Sequence, residues 1–236
     1  MNGTGGSPLE HPLYRAVRWI SRLQLRSALR RVDDVRPLIM LYAMISGALA
    51  LGIITAASIW TRVPLLFPPL APSAFILFTM PLAPAASPRN LVMGHSVAVA
   101  VGLLVLHAFD NLWPGAGLMN PGTLGAARVW AIIVTMGLIT ALMIMLRCQH
   151  PPAAASAMIA TMGFLDPLQA LGLVAAALLL ALEAVALVRW LAGLPYPIWR
   201  ADATAVRCYG ELAGLTTDHE DRWQRLRDIT FKTRQA

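Results

Sequence analysis

Charge is what this chain lacks. Only 13% of its 236 residues are Asp, Glu, Lys or Arg, against about 25% in a soluble domain. What charge there is sits at the ends: residues 1–36 hold ten charges, residues 189–236 hold fourteen, and the 152 residues between hold seven. Lysine is nearly missing as well, with Lys232 the one Lys among 19 basic residues. Cysteine is scarce. Cys148 and Cys208 lie far apart, without a CxxC partner or surrounding histidines, so neither a zinc nor a disulfide signature is present and both read as incidental thiols. These absences exclude an ordinary soluble enzyme, a disordered chain and a nucleic-acid binder, whose arginines would have to cover a folded surface. What is abundant is apolar: 57% of the residues are hydrophobic and the mean hydropathy is +0.62. The composition is that of an all-α polytopic membrane protein.

The N-terminal arm, 1–36, opens on a Gly-rich stretch and then turns basic. Arg15, Arg18, Arg22, Arg26 and Arg30 recur at helical spacing opposite Leu13, Val17, Ile20 and Leu23. Such a helix lies in the membrane interface with its arginines on anionic lipid headgroups. No uninterrupted apolar core or small-residue cleavage site follows, so a cleavable signal peptide is not expected. Seven Arg against three acids before residue 37 place this end in the cytoplasm. The tail, 200–236, alternates acids and arginines and reads as one or two short amphipathic helices, also cytoplasmic. Both termini then lie inside a multi-pass protein of the inner (plasma) membrane.

A helix needs about 20 apolar residues to cross the hydrocarbon core. Four segments qualify, at about 37–59, 90–109, 126–146 and 168–191. Small residues recur at four-residue spacing, Ala43 and Gly47 in the first and Gly94, Ala98 and Gly102 in the second, which lets helix backbones approach closely. Two further stretches, Ala71–Met80 and Ala153–Gly163, are half that length and are bounded by prolines or glycine. They read as half-helices.

The two short stretches resemble each other. PPLAPSAFIL (68–77) aligns with PPAAASAMIA (151–160), and six of ten positions are identical, among them Ser73 with Ser156. The transmembrane domain, 37–199, is thus a duplicated unit of helix, broken helix and helix, with repeat 1 at about 37–109 and repeat 2 at about 126–191. If each broken segment re-enters and leaves on one side, the halves are parallel. If each crosses, the second half is inverted. Arg89 and Arg147 at one set of ends, and a stretch without Lys or Arg at 110–127, favour inversion.

Polar side chains inside the apolar block are few. A half-helix that ends at mid-membrane directs backbone N–H groups and a positive dipole end at the interior, a ready anion site. Ser73 and Ser156 add hydroxyl donors, or bond back to their own turn. Asn90 and His95 open the second long helix, and His150 precedes Pro151-Pro152. Glu183 lies deep in the last helix, where a carboxylate either couples to protons or snorkels to the boundary. His107 reads as interfacial.

The run Gln149-His150-Pro151-Pro152-Ala153-Ala154 resembles the signature of the HPP family of membrane proteins. Ala71-Pro72-Ser73-Ala74-Phe75, Ala86-Ser87-Pro88-Arg89-Asn90 with Gly94-His95, and Leu194-Pro195-Tyr196-Pro197 with Trp199 are similar to its other marked segments, so the resemblance covers about 37–199. It implies a four-helix integral membrane protein and, from members in photosynthetic lineages, nitrite transport. The matching motif positions are Arg89, Asn90, His95 and His150; Glu183 matches none.

The reading is therefore a transporter or channel for a small inorganic anion, nitrite favoured, bound near mid-membrane by Ser73, Ser156, His150, Asn90, His95 and Arg89, with Glu183 as coupling candidate. No cofactor or metal is called for, and association with further copies of the chain stays open. Two alternatives remain: an intramembrane enzyme using His95 and His150 as acid/base or metal ligands, and a membrane scaffold or sensor. A scaffold leaves the matched half-helices without a purpose.

Overall fold

The structure is a computed structural model and describes residues 24–201 apart from 30 and 33. Most of the expected basic arm and nearly all of the charged tail lie outside the described residues. The chain divides into two units, one of Met1–Leu38 with Arg207–Ala236, the other of Ile39–Val206. In the first unit, α1 is a short helix, Leu25–Leu29.

Four long helices match the four expected spans. They are α2 (Arg36–Thr61), α4 (Pro88–Leu112), α5 (Ala126–Met145) and α7 (Pro167–Ala184), whose last turns, Val185–Leu191, widen into a π-helix. Their starts are written in local chemistry. Ser87 caps α4, with Pro88 in its first turn. Asp166 and Gln169 form a reciprocal capping box on α7, with Pro167 where no N–H is needed. The two expected half-helices are also present, α3 (Leu70–Thr79) and α6 (Ala153–Thr161). Each begins directly after its proline pair and spans about 15 Å or less at 1.5 Å per residue. No strand occurs among the described residues.

The core sits around α4, half of whose central window is buried, against 17% for α2. Gly94, Ala98 and Gly102 line one face of α4 and meet α6. A Cβ on Gly94 would stand 3.0 Å from Cβ of His150, and one on Gly102 would stand 2.5 Å from the carbonyl oxygen of Ala157. The expected close approach is therefore real on α4. It is absent at Gly47 on α2, where a Cβ would only touch Phe78 at 3.8 Å. The same contacts show that α6 runs beside α4 in the same direction. On its other flank α5 runs opposite to α6: Met143 packs with Ala153 and Ala157, while Thr135 bonds Thr161 at the far end.

The links follow suit. Ser58, near the end of α2, donates to the carbonyl of Val63 at 2.8 Å and accepts from the N–H of Leu65 at 3.2 Å, and the carbonyl of Pro64 abuts Gly172 near the start of α7. At the other end of the helices, Tyr196 Oη donates to the carbonyl of Ala86 at 2.6 Å and the N–H of Arg89 donates to that of Trp199 at 2.9 Å. Burial pushes the Tyr196 phenol above its ordinary range. Thr61 and Met145 are followed, directly or one residue on, by an arginine in the left-handed region, Arg62 (φ 57°) and Arg147 (φ 50°). Glycine usually closes helices in this way. α2 and α5 thus share a helix ending that is unusual for arginine.

The outer surface is apolar. Trp60, Trp113 and Trp130 lie exposed near one set of helix ends and Trp190 and Trp199 near the other, the arrangement of the aromatic belts at the two membrane interfaces.

Candidate functional site

The half-helices and α4 bring four polar side chains together at the centre of the fold. Ser73 lies in the second turn of α3, His95 in the third turn of α4, His150 just before α6, and Ser156 on α6. All four are fully buried. Gly94 makes the meeting sterically feasible, because His150 packs where a side chain on that residue would stand.

Ser73 Oγ lies 2.9 Å from His150 Nε2 and 3.0 Å from His95 Nε2. It is also 2.9 Å from the carbonyl oxygen of Pro69, one turn back on its own helix. His95 Nδ1 lies 2.7 Å from Ser156 Oγ, and His150 Nδ1 lies 2.8 Å from the carbonyl oxygen of Ala85. The two rings are 5.2 Å apart. The two serines that align in sequence thus hold the two ring nitrogens of His95.

Proton counting fixes the direction of these bonds. A carbonyl can only accept, so His150 Nδ1 carries the hydrogen and, in a neutral ring, Nε2 accepts. Ser73 then donates to His150 Nε2 and accepts from His95 Nε2–H, which leaves His95 Nδ1 to accept from Ser156. With both rings neutral, this is the arrangement that satisfies every ring nitrogen. The bond of Ser73 to Pro69 is its alternative, since a hydroxyl has one proton to give.

The backbone donors at the half-helix starts are engaged. N–H of Leu70 and Ala71 bonds the carbonyls of Phe67 and Pro68, and N–H of Ala153, Ala154 and Ala155 bonds those of His150, Pro151 and Pro152. The proline pairs wind each start into a tight turn that uses its own N–H groups. The donors turned to the centre are side chains rather than the free amides expected from sequence.

Arg89 and Asn90 are placed differently. Arg89 donates to the carbonyls of Arg147 at 2.7 Å and Leu146 at 2.9 Å, and Asn90 Nδ2 to that of Pro84 at 3.0 Å. They tie the start of α4 to the two links beside it. These links border a cavity of about 440 Å³ lined by Ala83, Pro84, Ala85, Asn90, Ile144, Arg147 and Gln149. Arg147 is exposed there, and no hydrogen bond of its guanidinium is seen among the described residues. A second cavity, of about 360 Å³, reaches Pro68 and Ala71 at the start of α3.

Glu183 is buried on α7, and neither carboxylate oxygen has a hydrogen-bond partner. No bond links it to the four-residue cluster. His107 is exposed, with Nδ1 2.8 Å from the carbonyl oxygen of Leu103. Among the described residues no three His, Cys, Asp or Glu side chains come together as a metal site.

Sequence reasoning missed Arg128. It lies in the first turn of α5 and is fully buried. Its guanidinium donates to the carbonyls of Thr123 (3.0 Å), Leu118 (2.6 Å), Asn120 (3.2 Å) and Thr161. It fastens the end of α6 to the link between α4 and α5. An arginine in the first turn of an apolar helix is the usual mark of an interface, so the sequence carried no sign of this role.

No curated protein and no solved structure matches the chain. A family model described as HPP, transmembrane region, matches residues 33–197, a stretch that holds all four long helices, both half-helices and the cluster. The chain belongs to the HPP family of membrane proteins.

Proposed function

We propose that this protein carries a small inorganic anion, nitrite foremost, across the inner (plasma) membrane, and that Ser73, His95, His150 and Ser156 form the point of passage. The observation that carries this reading is the convergence of two broken helices, through their matched serines, on one buried histidine. Broken helices meeting at mid-membrane are the usual setting of a transport site, and polar groups at that depth mark a pathway. The cavities support it, one reaching Ala85 and Gln149 beside His150, the other reaching Ala71 two residues from Ser73. The cluster offers hydroxyl and imidazole donors and no carboxylate, which suits an anion. The exposed guanidinium of Arg147 at the first cavity adds attraction for it. Arg89 and Asn90 frame that cavity, and Glu183 stands outside the cluster.

In this reading each broken segment crosses the membrane with help from its extended flank. The second repeat is then inverted relative to the first, and both termini are cytoplasmic. The parallel course of α4 and α6 and the antiparallel course of α5 support it. Nitrite is preferred on the strength of the family resemblance.

The test is uptake of nitrite, nitrate and chloride into proteoliposomes of the purified chain. Nitrite enters fastest under this proposal; vesicles that take up none of the three anions contradict it.

A further inference from the structure

The hydrogen-bonded chain Ser156–His95–Ser73–His150 runs in one direction, and one proton reverses it. We infer that the cluster couples each anion to one proton, by a relay that frees the Ser156 hydroxyl when the proton is taken up. This inference rests on the transport reading above.

In the neutral chain, Ser156 donates to His95, His95 to Ser73, Ser73 to His150, and His150 to the carbonyl of Ala85. A proton delivered to Ser156 Oγ displaces the hydroxyl proton already there onto His95 Nδ1. His95 passes its Nε2 proton to Ser73, and Ser73 passes its own to His150 Nε2. Three protons move, one is gained, and no other bond is made or broken. The positive charge ends on His150, which now holds hydrogen on both nitrogens.

The reversed chain is as complete as the first. His150 Nε2 donates to Ser73, Ser73 to His95 Nε2, and His95 Nδ1 to Ser156. Ser156 has become an acceptor within the chain, and its own hydrogen is released to donate elsewhere. An anion that reaches Ser156 gains a donor that the neutral chain withheld, together with the charge of an imidazolium. Loss of the His150 Nδ1 proton beside Ala85, which lines the larger cavity, discharges the relay on that side.

The other titratable or charged groups on the surrounding elements are Arg89, Arg147 and Cys148 at the His150 end, Tyr196 beside the 84–86 turn, Tyr42 on α2, whose ring packs on Phe78 of α3, and Glu183 on α7. None hydrogen-bonds a member of it. α3 and α6 contribute only the serines.

The experiment is nitrite uptake into proteoliposomes in two arms, with protein-free vesicles subtracting passage of the neutral acid. One arm imposes a pH gradient with the voltage clamped at zero; the other imposes voltage at equal pH. One-to-one coupling is electroneutral, so a gradient of about one pH unit drives roughly ten-fold accumulation, and voltage alone drives none. Accumulation that follows voltage and ignores the pH gradient overturns the coupling and leaves the transport reading standing. No uptake in either arm removes both. Among variants, Ser73→Ala interrupts the relay and abolishes the proton drive, whereas Glu183→Gln retains it. The reverse pattern would assign the proton to Glu183 and overturn the inference. Should Ser73→Ala not fold, the two wild-type arms still decide.

Discussion

Ser73 stands within bonding distance of both histidines and of a backbone carbonyl, and so joins α3 to α4 and to the link before α6. Arg128 does comparable work at the other end of α6, where its guanidinium holds the carbonyls of three residues in one link as well as that of Thr161. A planar fork reaches several acceptors at once, which an ammonium group on a longer flexible stem does not. Arg128→Lys should keep the charge but, with three donors for four carbonyls, strand at least one of them, at a cost of about 1–3 kcal/mol for a buried unsatisfied group. Thermal unfolding in detergent reads this as a lowered midpoint; an unchanged midpoint would show that the four bonds are dispensable. At this scale the sequence was legible in part. Ser73 and Ser156 stood out because duplication put them in register, and His95 and His150 because polar residues are rare in an apolar block. The carbonyls of Ala85 and Pro69 carry no side-chain signal. Ala85 lies 65 residues from His150, so the direction of the hydrogen-bonded chain could be read only from the folded molecule.

Elements were the most legible level, because their limits are set locally. Proline pairs start both half-helices, Ser87 and Asp166 cap α4 and α7, and long apolar runs have no stable alternative to helix in lipid. The packing partner of each helix was less evident. The small residues of α4 meet α6 closely, whereas Gly47 of α2, equally prominent in sequence, faces ordinary contact. Gly102→Ala tests the difference. Its new Cβ would lie 2.5 Å from the Ala157 carbonyl oxygen and 2.6 Å from Ala160 Cβ, so α4 and α6 must part, at a cost of about 1–3 kcal/mol. Gly52→Ala on α2 meets open space and should be neutral or slightly stabilising, given the helix preference of Ala over Gly. Unfolding midpoints of the two variants in the same detergent check this, and a Gly102→Ala protein as stable as Gly52→Ala would contradict the packing described.

For the whole molecule, the scarcity of charge that marked the chain as a membrane protein also shapes its centre. The charged side chains of the apolar block do separate work. Arg128 is consumed in fastening a link, Arg89 ties two links to α4, Arg147 is exposed at a cavity, and Glu183 is buried without a partner. What remains at the meeting point of the half-helices is two imidazoles and two hydroxyls. Ser156, the free end of that chain, is therefore the most informative position, because its hydroxyl makes a single bond there, to His95. The most direct test is the initial rate of nitrite uptake into proteoliposomes holding wild type or Ser156→Ala at equal density. Loss of a donor to a charged partner is worth about 1.5–3 kcal/mol, which predicts a rate lower by roughly ten-fold or more. Uptake by Ser156→Ala at the wild-type rate would contradict passage through this cluster.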